Sequence, residues 1–248
     1  MKKPALLILL FLITVFCFAQ TPTTVTIRVL AKDAKFIGTG MGGMNVVIKN
    51  SSNGEVMASG TIEGGTGNTS KIIADSIGRY QQKATPESAD FTTQLTLTHP
   101  QKITVSVNGP LSLEPENRIT ATEEYWIIPD QDLSEEGLIL EIDGFAITAK
   151  DPVKNEDGSY TLKMHSVMLC GCPITPGGFW NANKMKGTAL IYKNGELLKK
   201  VDMEPGKEKN TFIGNWKPDQ KGFYNIYYSL FDPRNNNTGV DEVSLTVD

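Results

Sequence analysis

The chain has 248 residues, 40% of them hydrophobic and 21% charged, with 28 acidic against 24 basic side chains and a formal charge of −4. A mildly acidic chain with no Lys/Arg cluster lacks the electrostatic footprint of a nucleic-acid or anionic-lipid binder. Beyond residue 20 no stretch approaches the roughly 18 apolar residues of a membrane helix, so the body is expected to be water-soluble.

Lys2 and Lys3 precede an apolar run from Pro4 to Phe18 that only Thr14 interrupts, and Ala19 stands just ahead of Gln20. A positive start, an apolar centre and a small residue at the cut point read as a secretory signal over residues 1–19. Its removal leaves 229 residues of charge −6 and directs the protein out of the cytoplasm, to the periplasm or the cell surface. Lipid attachment at Cys17 is not expected, because Phe16 stands where a small residue belongs.

From there the helical period all but disappears. Short runs rich in Val, Ile, Thr and Tyr recur between clusters of Gly, Asn, Asp and Pro, which is the pattern of an all-β sandwich. The first set of strands is expected at Thr24–Leu30, Met44–Lys49, Val56–Glu63, Phe91–Leu97, Ile103–Val107 and Ile119–Ile127. Thr24 to Val29 alternate polar and apolar, which predicts a strand with one buried and one wet face. Asn53-Gly54 between two such runs predicts a hairpin, and so does Asn194-Gly195. The glycines of Gly38–Met44 and of Gly64–Lys71 lack the spacing of a phosphate-binding loop and read as turns. Met41 and Met44, flanking two glycines, suit soft metal ligation, but gap-filling in the core is the reading favoured for them.

The tract Ile128–Gly137 is polar, acidic and turn-rich, and residues 129–137 are expected to link two domains, 20–128 and 138–248. The second set of strands is expected at Leu138–Thr148, Tyr160–Leu169, Thr188–Lys193, Glu196–Met203, Asn210–Trp216, Gly222–Phe231 and Asp241–Val247. The stretch from Phe223 through Asp232-Pro233 and Asn235–Gly239 to Val247 resembles the last hairpin of immunoglobulin-like modules of bacterial exported and envelope proteins. Val46–Ile48 with Gly54–Val56 resembles their opening hairpin. The resemblance implies two immunoglobulin-like β-sandwich domains in tandem; it implies no particular activity.

Reactive side chains concentrate at Met164-His165-Ser166-Val167-Met168-Leu169-Cys170-Gly171-Cys172-Pro173. With Cys17 removed, Cys170 and Cys172 are the only cysteines. On a strand Met164, Met168, Cys170 and Cys172 share one face while His165 points to the other. Soft sulfur ligands on one face suit Cu(I), which makes copper the expected cofactor if a metal binds. Zinc fits less well, because a tetrahedral set needs more than two cysteines and one histidine. The alternative is a local disulfide in an oxidising compartment, where Gly171 lets the chain contract from the ~6.6 Å spacing of an extended strand. A third reading is inert core packing. The Pro- and Gly-rich tract Cys170–Trp180 is expected to be a fixed loop with Trp180 packed beside the sulfurs.

His99 and His165 are the only histidines. His165 lies five and seven residues from the cysteines, ~17–23 Å along an extended strand, which does not suit a Cys/His catalytic pair. The expected protein is therefore non-catalytic. Either it handles Cu(I) through Cys170 and Cys172 with Met168, Met164 or His165 and delivers it to another exported protein, or it is a structural or adhesive module that binds a protein or a glycan.

Overall fold

The computed structural model describes residues 22–74 and 78–248. The secretory signal expected at 1–19 lies outside the described residues. The chain is all-β. Its first seven strands are β1 (Pro22–Ala31), β2 (Met44–Asn50), β3 (Val56–Ile62), β4 (Phe91–Thr96), β5 (Gln101–Gly109), β6 (Ile119–Ile127) and β7 (Leu133–Ile142). They form two sheets, ordered β4-β1-β7 and β3-β2-β5-β6. Val25 and Ile27 of the first pack in one core with Val46, Ile48, Ile103 and Val105 of the second. The period of two that sheets require is plain in β5. Ile103, Val105 and Val107 are buried there, while Thr104, Ser106 and Asn108 are only half-buried.

β1 departs from the expected half-wet strand. Thr26 and Arg28 are buried along with Val25 and Ile27. The cause is the excursion between β3 and β4, which returns over the outer face of β1, bridged at Glu63 to Asp90 and at Gly65 to Ser88. A small apolar cluster of Leu30, Phe36, Ile72 and Ala84 forms beneath it. A buried guanidinium is tolerated only with partners, and Arg28 has them. Its Nη1 donates to the carbonyls of Ser88 (2.6 Å) and Ala89 (3.2 Å) and pairs with Asp90 at 3.2 Å, and its Nη2 reaches the Glu135 carbonyl at 3.4 Å. One side chain thus ties β1 to the excursion and to β7.

The remaining strands are β8 (Phe145–Lys154), β9 (Tyr160–Met168), β10 (Ile174–Thr175), β11 (Trp180–Asn181), β12 (Lys186–Lys193), β13 (Glu196–Pro205), β14 (Thr211–Trp216), β15 (Gly222–Asp232) and β16 (Asn237–Val247). Seven of them form one sheet ordered β16-β15-β12-β13-β14-β9-β8, and β10 pairs with β11 alone. β13 turns the corner of this sheet: Glu196–Met203 pair with β12, and only Glu204 and Pro205 pair with β14. The two leaves close on each other, with β16 against β8 and Leu162, Met164, Ile191, Phe212, Tyr224 and Tyr228 between them. Asn194-Gly195 forms the expected two-residue hairpin, both residues at positive φ (51° and 82°).

The boundary between the two halves differs from the expected linker. Leu133–Gly137, expected within linker 129–137, begin β7, which pairs in parallel with β1. The single strand expected over Leu138–Thr148 divides at Asp143-Gly144, after which β8 pairs with β9. Gly144 takes φ 138°, and a Cβ there would lie 2.8 Å from Ile119 and 3.3 Å from Leu169. The apolar pattern runs almost unbroken across this point because both strands face a common core. Hydropathy alone therefore carries no mark of the change of sheet.

Arg28→Ala should destabilise the protein by about 2–4 kcal/mol in urea unfolding, since it strips partners from a buried site. Asp90→Asn should cost under ~1 kcal/mol, because Asp90 is 36% exposed and its pair is partly screened. Equal losses for the two variants would show that the ion pair, not the carbonyl bonds, carries the effect.

Candidate functional site

The cysteine tract follows directly from β9. Met164 is fully buried on that strand, level with Phe212 of β14 and Ala149 of β8. Met168, at its end, is buried too. His165 points the other way, half-buried, beside Thr211 and Thr148.

Beyond Met168 the chain reverses sharply. The Gly171 N–H donates to the Met168 carbonyl (2.7 Å), the Met168 N–H donates to the Cys172 carbonyl (3.1 Å), and Val167 bridges Pro173. Gly171 sits at φ +80°, a left-handed conformation that a Cβ would disfavour. This turn draws the Cα atoms of Cys170 and Cys172 to 5.5 Å, and the two residues are joined by a disulfide. The contraction at Gly171 expected for a local bridge is therefore present. Both cysteines are buried, at 3% and 7% exposure, while Gly171 between them faces outward.

The loop after the disulfide is held at several points. The Asn210 side chain accepts from the Ile174 N–H (2.8 Å), and the Asn210 backbone bonds to Ile174 O and Ser166 N. Asn181 caps the following turn by accepting from Gly177 N and Asn183 N. Trp180 is buried, stacked edge-on against the exposed Phe179 at 5.0 Å, and its indole N–H donates to the carbonyl of Asp33 at 2.8 Å. Asp33 belongs to the turn after β1. The loop is thus seated on the first half of the chain. Met41, also from the first half, stands beside the exposed Gly171, for a Cβ there would lie 3.0 Å from its sulfur. The same turn is gripped further by Asn235, whose side chain donates to Asp33 Oδ2 (3.0 Å), and by Asn237, which donates to the Lys32 carbonyl (3.1 Å).

A disulfide offers no thiolate, so the soft-metal set expected from Cys170 and Cys172 requires the bond to be reduced first. Among the described residues no three His, Cys, Asp or Glu side chains gather as a metal-holding group. The thioethers of Met164 and Met168 are core atoms, and His165 lies on the opposite side of its strand from Met164. Sequence reading placed Trp180 beside the cysteines but missed Asp33, Met41 and Asn210. Asp33 and Asn210 are turn-type residues at positive φ (53° and 65°), but nothing in the local sequence marks either as a partner of the cysteine loop.

Burial, and then the charges of Lys150 and Lys163, hold the His165 imidazole below its ordinary pKa. The unfolded chain therefore takes up a proton first as pH falls. The stability tied to a neutral His165 is complete above ~6.5 and is lost as pH drops from there through the lowered folded value. His165→Gln should flatten the fall in urea midpoint between pH 7.5 and pH 5.5; an unchanged slope would locate that fall elsewhere. The double variant Cys170→Ser, Cys172→Ser should lose only about 1–2 kcal/mol, because the ring closed is short. Trp180→Phe should cost about 1 kcal/mol through its lost bond to Asp33.

Among the described residues no helix is long and apolar enough to cross a membrane. No protein-family model matches the chain, and no curated protein matches it. Among solved structures it is similar to a DUF3823 family protein from Bacteroides uniformis, at 10% identity over 91% of this chain and 100% of that one, with a TM-score of 0.30. It is also similar to the fibronectin(III)-like modules of CbhA from Clostridium thermocellum, at 10% identity over 90% of each chain, with a TM-score of 0.29.

Proposed function

We propose that this chain is a non-catalytic structural and interaction module of the cell exterior, built of two β-sandwich halves, in which Cys170–Cys172 is a covalent staple and not a metal site. The observation that carries this reading is the disulfide itself, with both sulfurs buried in a loop whose tryptophan docks on the opposite half. A bond of this kind persists in an oxidising compartment, which agrees with the secretory signal read in residues 1–19. A copper carrier needs the opposite arrangement, reduced and approachable thiolates from which the ion can pass to a partner.

The test is thiol titration and metal analysis of the mature protein, purified without reductant. Denatured protein should show no free thiol before reduction and two after it, and should carry neither copper nor zinc in stoichiometric amount. Free thiols together with one tightly held Cu(I), lost in the double serine variant, would overturn the reading in favour of copper handling.

A further inference from the structure

Among the described residues no layer covers the outer face of the β12-β15-β16 leaf, yet that face carries aromatic side chains as well as charged ones. Register places Leu190 of β12 beside Tyr227 of β15 and Tyr227 beside Glu242 of β16, with Tyr192 beside Asn225 in the next row. The Tyr192 and Tyr227 rings meet edge to face at 5.5 Å. Around them lies a shallow hollow of about 480 Å³. Tyr227 and Val240 also line a second hollow of about 590 Å³, where β16 meets the Glu116–Ile119 segment of the first half. The two hollows adjoin at Tyr227 and Val240 to give a groove whose first part has an aromatic floor and whose second has polar walls.

Its polar groups are fixed in place. Asp241 accepts from the Asn117 side chain (2.8 Å) and from the Ala149 N–H (2.7 Å), which locks the wall contributed by the first half. Glu242 stands opposite Tyr227 in the ladder, and its carboxylate raises the pKa of the phenol. Asn225 is held by Ser244 at 3.3 Å. Pre-organised walls of this kind lower the ordering cost of binding.

The chemistry of the groove excludes several occupants. Glu116, Asp241 and Glu242 outweigh Arg118, which repels polyanions. The backbone groups of β15 are engaged with β12 on one side and β16 on the other. A peptide therefore cannot add as an extra strand at the aromatic floor; the edge strand on this side of the sheet is β16. What the groove offers is two aromatic rings and an array of side-chain acceptors, which suits a ligand with apolar C–H faces and many hydroxyl donors.

We propose that this groove binds a neutral glycan, with a sugar ring packed against the edge-to-face Tyr192–Tyr227 pair and its hydroxyls taken by Glu242 and Asn225. The proposal rests on the reading of the chain as a non-catalytic interaction module and names the site and the ligand class for it.

The test is affinity electrophoresis of the mature protein in native gels cast with hydroxyethylcellulose, galactomannan or glycogen, beside gels cast with polygalacturonate. A solution arm uses a lysine-rich peptide. At least one neutral polysaccharide should retard the protein, and Tyr227→Ala and Tyr192→Ala should each weaken that retardation by at least about tenfold, the range expected for loss of an aromatic anchor. Both variants should keep the parental melting temperature, and retardation should survive ~0.5 M salt, which screens ionic binding. Retardation by none of the neutral polysaccharides, retardation undiminished in both tyrosine variants, or binding only to polygalacturonate or to the lysine-rich peptide would overturn the proposal. The double serine variant should bind as the parent does. Failure here with the disulfide intact and metal-free leaves the module reading standing, whereas free thiols with bound copper overturn that reading first.

Discussion

The pairing of β1 between β4 and β7 is the constraint on which the rest of the structure depends. β7 is the last strand of the first half, and it reaches β1 only after the whole of β2 to β6 has folded back between them. Its parallel register against β1 sets where Asp143-Gly144 lies, and therefore where β8 enters the second sheet. Arg28 fastens the same strand to the excursion over its outer face through the carbonyls of Ser88 and Ala89. A sheet edge left open at β1 would expose Thr26 and Arg28 and also unseat the turn at Lys32 and Asp33, onto which the second half is bonded.

The disulfide loop gains its meaning from that turn. A three-residue bridge contributes little chain-entropy stabilisation by itself. Its effect is positional: it holds the reversal at Gly171 beside Met41 and sends the chain through β10 and β11 so that Trp180 arrives at Asp33. Asn210 supports the loop from the β13–β14 side. The cysteines therefore belong to the joint between the halves, which gives a physical reason for their burial that metal exchange does not supply.

Much of the fold was legible because its signals are local. Alternation in β5, the positive-φ pair Asn194-Gly195 and the bounds of β6 follow from neighbouring residues alone. The buried face of Thr26 and Arg28 was not legible, because the chain that meets it at Ser88–Asp90 has no periodicity of its own. The division of Leu138–Thr148 was hidden for a different reason: two strands of different sheets face one continuous core and share a single apolar pattern. At the candidate site the closeness of Cys170 and Cys172 and the freedom of Gly171 could be read directly. Their state could not, since a thiolate pair and a disulfide have the same sequence, and Asp33 lies too far along the chain to announce itself as the partner of Trp180.

The parallel alignment of β1 and β7 also decides how the first half responds to mechanical load. Tension drawn along the chain enters β1 at Pro22 and leaves β7 at Ile142. Because the two strands run in the same direction, those points lie at opposite ends of their ladder, and the pull slides one strand along the other instead of peeling them apart. In shear the ladder bonds share the force and yield together, whereas a hairpin pulled at its open end gives way one bond at a time. The first half thus resists extension through the same contact that organises its fold.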